Sequence, residues 1–229
     1  TQDGHDVTLF ERDSLASHAS GFAQGGLKPV LKGARPDVYR DFSNYSINLH
    51  RELVSQLKGE GANGEYLNFL QKSSIQLVKN VGEAEALRDQ YKSQFDDYSL
   101  NVRWLGVGEL SHIDARISSD VIGGLYSGEA YEVDPYKLTL SLWQMAEQRG
   151  AVMVNREVTD IAVNGDRVSG VVTSGETFEA DAIVVAAGPW STSMLAELGV
   201  EIPVTPLKGQ ILRLDAPGPP LKTSMWWDE

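Results

Sequence analysis

Strand-like and helix-like hydrophobic patterns alternate along this sequence. Val7-Thr8-Leu9-Phe10 is an unbroken apolar and β-branched run that predicts a short buried strand, and it ends on the carboxylate of Glu11. In the run from Ser20 to Leu27, Gly21, Gly25 and Gly26 keep side-chain bulk away from the backbone, which suits close approach to a flat or phosphorylated ligand. From Pro36, Val38, Phe42, Tyr45, Leu49, Leu53 and Leu57 recur at three- and four-residue intervals and predict one long amphipathic helix, stopped by Gly59. A polar, glycine-rich turn leads into shorter pieces: strands at 66–70, 74–79 and 102–105, and helices at 83–91 and 107–113.

Asp134-Pro135 predicts a capped helix start, with Leu138, Leu142 and Met145 as the apolar face and Gly150 as the stop. A strand at 151–154 follows. Segments 157–163, 167–173 and 176–180 are separated by Asn164-Gly165-Asp166 and Ser174-Gly175, the turn chemistry of a three-stranded meander. The apolar run Ala182 to Ala187, ended by Gly188, is too short for a helix and predicts a buried parallel strand. Pro189-Trp190-Ser191 opens a helix closed by Gly199, and 203–214 predicts a further strand.

Composition narrows the function classes. The 229 residues carry 32 acidic against 20 basic side chains, a net charge of -12, with no basic run. A protein that neutralises phosphates along a nucleic acid needs a Lys/Arg patch, so that partner is not expected. The absence of cysteine removes disulfides, thiolate metal sites and cysteine nucleophiles, and fits a cytoplasmic protein. The longest apolar runs fall far short of the roughly 20 residues a membrane span needs, so a soluble globular chain is expected. His5, His18, His50 and His112 lie far apart without metal-ligand spacing and read as ordinary surface or hydrogen-bonded histidines. Residues 1–6 read as the tail of a helix with Gly4 as its stop, and the far end has no closing element, so the chain is expected to be a fragment. Glu11, at a strand tip, suits a ribose clamp and reads equally as an exposed strand-end charge.

The order of parts is more specific than any single motif. A strand ending in Glu11-Arg12, then S-G-x-x-Q-G-G-L over 20–27, an Asp134-Pro135 helix start, a meander, A-A-G-P-W-S over 186–191 and P-x-K-G-Q over 206–210 resemble the FAD-dependent amine and amino-acid oxidoreductase family. That family includes D-amino-acid oxidase, glycine oxidase and the sarcosine oxidases and dehydrogenases. The resemblance runs from Gly4 to about Met225, and glycine oxidase-like bacterial members look most similar over 184–198 and 205–214.

The resemblance implies an α/β fold: an FAD-binding, Rossmann-like doubly wound domain with a β-meander (residues 1–57 and 134–201), plus an inserted α+β substrate domain (58–133 and 202–229). It implies FAD as cofactor. Glu11 matches the ribose-binding acid and Arg12 its neighbour beside the adenosine. Ala19 and Ser20 match the segment passing the pyrophosphate. Gln24, Gly25 and Gly26 match the loop beside the flavin ring. The backbone of Val158 matches an adenine contact, and Ala187 and Gly188 match the second crossing near the dinucleotide with Trp190 packed close by. Val158 reads equally as core, and Trp190 as a hydrophobic plug at a helix start.

Two departures stand beside these matches. The phosphate-binding G-x-G-x-x-G would precede Thr1, and the substrate residues, typically an Arg paired with the carboxylate, would follow Glu229. Ala23 stands where some members carry a flavin-linked His, so covalent attachment is not implied. Lys208 could face the flavin or the substrate, or be a solvated strand-start lysine. The resemblance implies hydride transfer from the α-carbon of a small amino acid or secondary amine to the flavin, with oxygen or an electron carrier as final acceptor and no catalytic side chain within these residues. A homo-oligomer is compatible with these residues. The rival readings are a flavin oxidase acting on a modified tRNA base side chain, a catalytically inert fragment or assembly subunit, and a nicotinamide-binding Rossmann domain, against which the meander argues.

Overall fold

The computed structural model describes residues 3–28, 36–59, 67–92, 95, 101–215 and 217–227. In chain order these form β1 (Thr8–Phe10), α1 (Ala19–Phe22), β2 (Gly26–Leu27), α2 (Pro36–Gly59), β3 (Leu70–Gln71), β4 (Ser73–Val78), α3 (Val81–Gln90), β5 (Val102–Gly106) and α4 (Val107–Ile113). The second half gives β6 (Gly123–Ser127), β7 (Tyr131–Glu132), α5 (Pro135–Gln148), β8 (Val152–Val154), β9 (Val158–Asn164), β10 (Arg167–Thr173), β11 (Glu176–Glu179), α6 (Ser191–Ala196) and β12 (Thr223–Trp226), with one 3-10 turn at Gly188–Trp190. The fold is α/β. It divides into two compact units: Thr1–Ala23 with Pro135–Arg213, and Gln24–Asp134 with Leu214–Glu229.

In the first unit β1 pairs in parallel with β8, Thr8 opposite Val152 and Phe10 opposite Val154. Helix α5 leads into β8 and packs against α1. Phe10 meets Phe178 of β11 edge-on, with ring centres 5.0 Å apart, which ties the parallel pair to the meander. The meander has the order β11-β10-β9 and is antiparallel throughout. Gly165 and Gly175 take φ of +61° and +88° in its two turns, a region that side-chain-bearing residues rarely enter.

Three expectations for this unit are corrected. The first strand was expected to be buried, yet Val7 is 42% and Leu9 37% exposed, β8 being its one ladder partner among the described residues. Residues 182–187 form no strand or helix and have no pairing strand among the described residues, and Val184 is 90% exposed. The segment 203–214 likewise forms no strand, with Leu207 97% exposed. In both, apolar composition predicted a strand, but a strand also needs a partner for its backbone N–H and C=O groups.

The second unit is built on the mixed sheet β12-β4-β6-β5, in which β12 is parallel to β4 and the other pairs are antiparallel. Side chains alternate along β4, so its two faces feed two cores. Val78 joins Ala84 and Leu87 of α3, with Tyr91, Val102 and Leu125. Ile75 and Leu77 join Leu105, Leu110 of α4 and Val121. Asn80 caps α3, its side-chain oxygen accepting from the Glu83 N–H at 2.9 Å.

Strand β6 has no counterpart in the hydrophobic pattern because it opens on Gly123-Gly124. A Cβ at Gly123 would lie 2.5 Å from the Trp104 ring, and one at Gly124 2.7 Å from Ile75 Cγ2, so these glycines mark close approach within the sheet. A small sheet of order β2-β7-β3 completes the unit. The expected face of α2 is covered only at its far end: Leu57 is buried and Leu53 half-buried, while Phe42, Tyr45 and Leu49 are exposed and the flanking Ile47 and Val54 are buried. The strand expected at 66–70 appears as Leu70–Gln71, and residue 66 lies outside the described residues.

Candidate functional site

The carboxyl end of β1 organises the first unit's polar surface. The Glu11 N–H donates to the Val154 carbonyl at 3.1 Å, continuing the parallel ladder past the last paired residue. The chain then turns sharply, because Glu11 Oε1 accepts from the Asp13 N–H at 2.9 Å. Asn155, directly after β8, donates its side-chain amide to the carbonyls of Glu11 and Asp13 at 2.9 and 2.8 Å. One oxygen of the Glu11 carboxylate is thereby engaged in shaping the loop.

Arg12 reaches the other way. Its guanidinium donates to Glu157 at 3.0 Å and to Asp13 at 3.3 Å, and lies 4.7 Å from the centre of the Trp190 ring. His18 Nε2 lies 2.8 Å from Asp13, and its ring meets Trp190 edge-on at 5.0 Å. The hydrogen bond from His18, reinforced by Arg12, holds the Asp13 carboxyl below its usual range. The bond to Glu157 raises the Arg12 guanidinium further. All of these groups are solvent-exposed, so the pairs orient the side chains more than they stabilise the fold.

Arg12, Asp13, Ser14, Ser17, His18 and Asn155 line an open cleft of about 540 Å³. The loop between β1 and α1 is tightly folded. Ala16 takes φ +58°, and a Cβ on Gly21 would sit 1.9 Å from the Ala16 carbonyl oxygen, so only glycine fits there. The Ser17 hydroxyl is buried and has no hydrogen-bond partner among the described residues. A buried polar atom without a partner beside a polar cleft is what a ligand oxygen would satisfy.

The structure brings Glu11, Arg12 and Trp190 into one neighbourhood. Ala187 and Gly188 lead directly into it: the Trp190 N–H donates to the Ala187 carbonyl at 3.0 Å, and Gly188 takes φ +53°. Val158 begins β9, an edge strand of the meander, one residue after Arg12's partner Glu157. Ala19 and Ser20 lie exposed on α1. Gln24, Gly25 and Gly26 belong to the second unit. There Gln24 is exposed, the Gly25 carbonyl accepts from the Val133 N–H at 3.0 Å, and Gly26 pairs with Glu132. Lys208 is exposed.

Sequence reasoning did not single out Asp13, Ser14, Ser17 or Asn155, and it treated His18 as isolated. The signal was the density of short polar side chains at 13–18, just past a strand end; only the fold reveals Asn155 as the clamp on that turn. His50 Nδ1 lies 3.0 Å from the Ser46 carbonyl, as expected for a hydrogen-bonded histidine. No group of three or more His, Asp or Glu side chains among the described residues could hold a metal ion. Among the same residues, no helix is long and apolar enough to cross a membrane.

The family that the resemblance names uses FAD, and the residues present fit its adenosine and pyrophosphate portion. They offer a strand-end carboxylate, an aromatic ring backed by a guanidinium, and an unpartnered buried hydroxyl in a polar cleft.

Comparison with known proteins agrees. Residues 1–228 match the family described as DAO, FAD dependent oxidoreductase. Over 97% of its length the chain is 28% identical to glycine oxidase of Geobacillus kaustophilus, and it covers 58% of that protein. It is 29% identical to D-amino acid dehydrogenase of Neisseria meningitidis over 79% of the chain and 43% of that protein. The crystal structure of glycine oxidase from Geobacillus kaustophilus superposes with a TM-score of 0.89 at 26% identity, covering 99% of this chain and 60% of that one. The chain thus spans about half the length of these relatives.

Proposed function

The chain belongs to the FAD dependent oxidoreductase family, and we propose that within it the chain is part of an enzyme that oxidises the C–N bond of a small amino acid or secondary amine, of the glycine, sarcosine or D-amino acid type. The observation that carries this reading is the Glu11-Arg12-Trp190 arrangement at the tip of β1, beside the cleft with the unpartnered Ser17 hydroxyl. The similarity to glycine oxidase and D-amino acid dehydrogenase supports the substrate class.

In this reading Glu11 keeps one carboxylate oxygen for the ribose hydroxyls while the other holds the turn to Asp13. Arg12 steadies the Trp190 ring beside the adenosine, and Ser17, Ala19 and Ser20 line the path of the pyrophosphate. The first unit acts as the FAD-binding domain. The second carries part of a substrate domain, which includes the Gln24 to Gly26 loop. At Gly26 an added Cβ would meet only Lys28 Cε, at 3.7 Å, so the backbone there is open to a flat ligand. FAD, when bound, supplies a two-electron acceptor for the hydride leaving the substrate's α-carbon. The chain's own part is to orient that C–H bond and exclude water until the amine has become an imine, which water then hydrolyses to a carbonyl compound and ammonia or an amine. Oxygen or an electron carrier takes the electrons in the second half-reaction.

Anaerobic mixing of the FAD-loaded enzyme with glycine, sarcosine and D-alanine tests the proposal. Bleaching of the flavin absorbance by at least one of these is the expected result. A flavin that dithionite reduces but none of the three bleaches would overturn the substrate class.

A further inference from the structure

Parallel pairing of β1 with β8 sets Phe10 opposite Val154, and the Glu11 N–H donates to the Val154 carbonyl at 3.1 Å, so the chain leaves β8 beside the tip of β1. Asn155 is the first residue out. Its side-chain nitrogen bridges two backbone carbonyls, those of Glu11 at 2.9 Å and of Asp13 at 2.8 Å. Both partners are acceptors, so the side chain facing them must bring two N–H donors on a short stem. Asn does so, whereas Asp, of the same shape, sets a carboxylate against two carbonyl oxygens.

The two carbonyls bracket the turn that Glu11 Oε1 closes on the Asp13 N–H at 2.9 Å. Two residues further on, Glu157 accepts from the Arg12 guanidinium at 3.0 Å, so the segment leaving β8 grips the β1 tip through backbone and side chain alike. Asn155 is exposed, and its hydrogen bonds compete with water and add little to global stability. Their effect is local. They restrict the backbone from which the Glu11 carboxylate is presented.

We propose that Asn155 is a positioning residue for cofactor recognition: by clamping the Glu11 and Asp13 carbonyls it fixes the Glu11 carboxylate toward the adenosine ribose, and so sets a preference for a nucleotide carrying both ribose hydroxyls. The inference rests on the FAD-binding reading above and adds to it a residue that acts through Glu11. Without the clamp the turn samples other conformations, and the carboxylate must be ordered at the moment of binding. That weakens the contacts that depend on its direction and spares the others.

Calorimetric titration of the flavin-free protein with ADP and with 2′-deoxy-ADP tests this. Wild type is expected to bind ADP about tenfold more tightly than the deoxy form. In Asn155→Ala and Asn155→Asp that preference is expected to fall to about twofold or less while affinity for 2′-deoxy-ADP stays within about twofold, and adding Glu11→Ala is expected to change nothing further. A preference kept in the Asn155 variants overturns the inference and leaves FAD binding standing. So does an equal loss for both nucleotides, the result of a direct phosphate contact or a merely structural role. Wild type that binds both nucleotides equally overturns it together with the ribose role of Glu11, and wild type that binds neither overturns the cofactor reading as well. Amide hydrogen exchange checks the clamp without any ligand. The Asp13 N–H is expected to exchange about tenfold faster in Asn155→Ala while the amides of β10 keep their rates. Equal Asp13 rates in the two proteins overturn the inference.

Discussion

The Arg12 guanidinium lies 4.7 Å from the centre of the Trp190 ring while donating to Glu157 at 3.0 Å, so one side chain ties the end of β1 both to the entry of the meander and to the turn before α6. These elements are far apart in sequence and meet around the cleft proposed for the adenosine. Replacing Trp190 with Leu removes both the cation–π contact and the edge-on contact with His18. FAD affinity, read by quenching of flavin fluorescence, is expected to fall roughly fivefold, with Trp190→Phe losing less. Unchanged affinity in Trp190→Leu would remove this residue from the site.

Gly21 is a packing glycine, whereas Gly26 has open space and is proposed as a binding one. A Cβ at Gly21 would lie 1.9 Å from the Ala16 carbonyl oxygen, and backbone cannot give way cheaply. Gly21→Ala is expected to lower the free energy of unfolding by about 2 kcal/mol or more in urea titrations. Gly26→Ala has room in the fold, so its stability is expected to match wild type while FAD or substrate binding weakens. Equal stability losses at both positions would contradict the distinction.

Stability should depend on pH through Glu132. Burial raises this carboxyl, but hydrogen bonds donated by Lys72, at 2.8 Å, and by Ser224 outweigh it, so its folded-state value is lowered. Its stabilisation is fully present above the ordinary glutamate range and is lost as pH falls through the depressed folded value. Glu132→Gln is expected to cost about 1 kcal/mol at neutral pH, after allowance for the partial exposure of the Lys72 pair. The wild-type and Glu132→Gln stability curves should converge in acid. Curves that stay parallel down to acid pH would show that Lys72 and Ser224 do not stabilise the charged form.

Ser141 is 3% exposed in α5, and its hydroxyl has no hydrogen-bond partner among the described residues. Removing an unsatisfied buried hydroxyl relieves a desolvation penalty, and Ala is the better helix former. Ser141→Ala is therefore expected to be neutral or to stabilise by up to about 1 kcal/mol in thermal or urea unfolding. A clear destabilisation would mean that the hydroxyl has a role in packing α5.

Much of this architecture is legible where local chemistry decides it. The meander follows from glycine turns at 165 and 175, helix α4 from the pattern at 107–113, and α5 from Asp134-Pro135. What is not legible depends on partners. Residues 182–187 and 203–214 are apolar enough for strands, yet ladder pairing is a tertiary property and no strand among the described residues pairs with them. Strand β6 hides behind two glycines whose value lies in contact with Trp104 and Ile75. The buried side of α2 falls on Ile47 and Val54 rather than on Phe42 and Tyr45, because periodicity marks an apolar stripe without saying which flank is covered. At the site, Glu11 and Trp190 were readable as candidates, whereas the Asn155 clamp joins residues distant in the chain.

The central claim is that the β1 tip and its cleft hold FAD. It is tested most directly by the absorbance spectrum of the protein after incubation with FAD and removal of the excess, recorded for wild type and Glu11→Ala and repeated with NAD. The account expects a retained flavin spectrum in wild type, affinity about tenfold weaker in Glu11→Ala, and no retention of NAD. Retention of NAD in place of FAD, or flavin binding indifferent to Glu11, would contradict it.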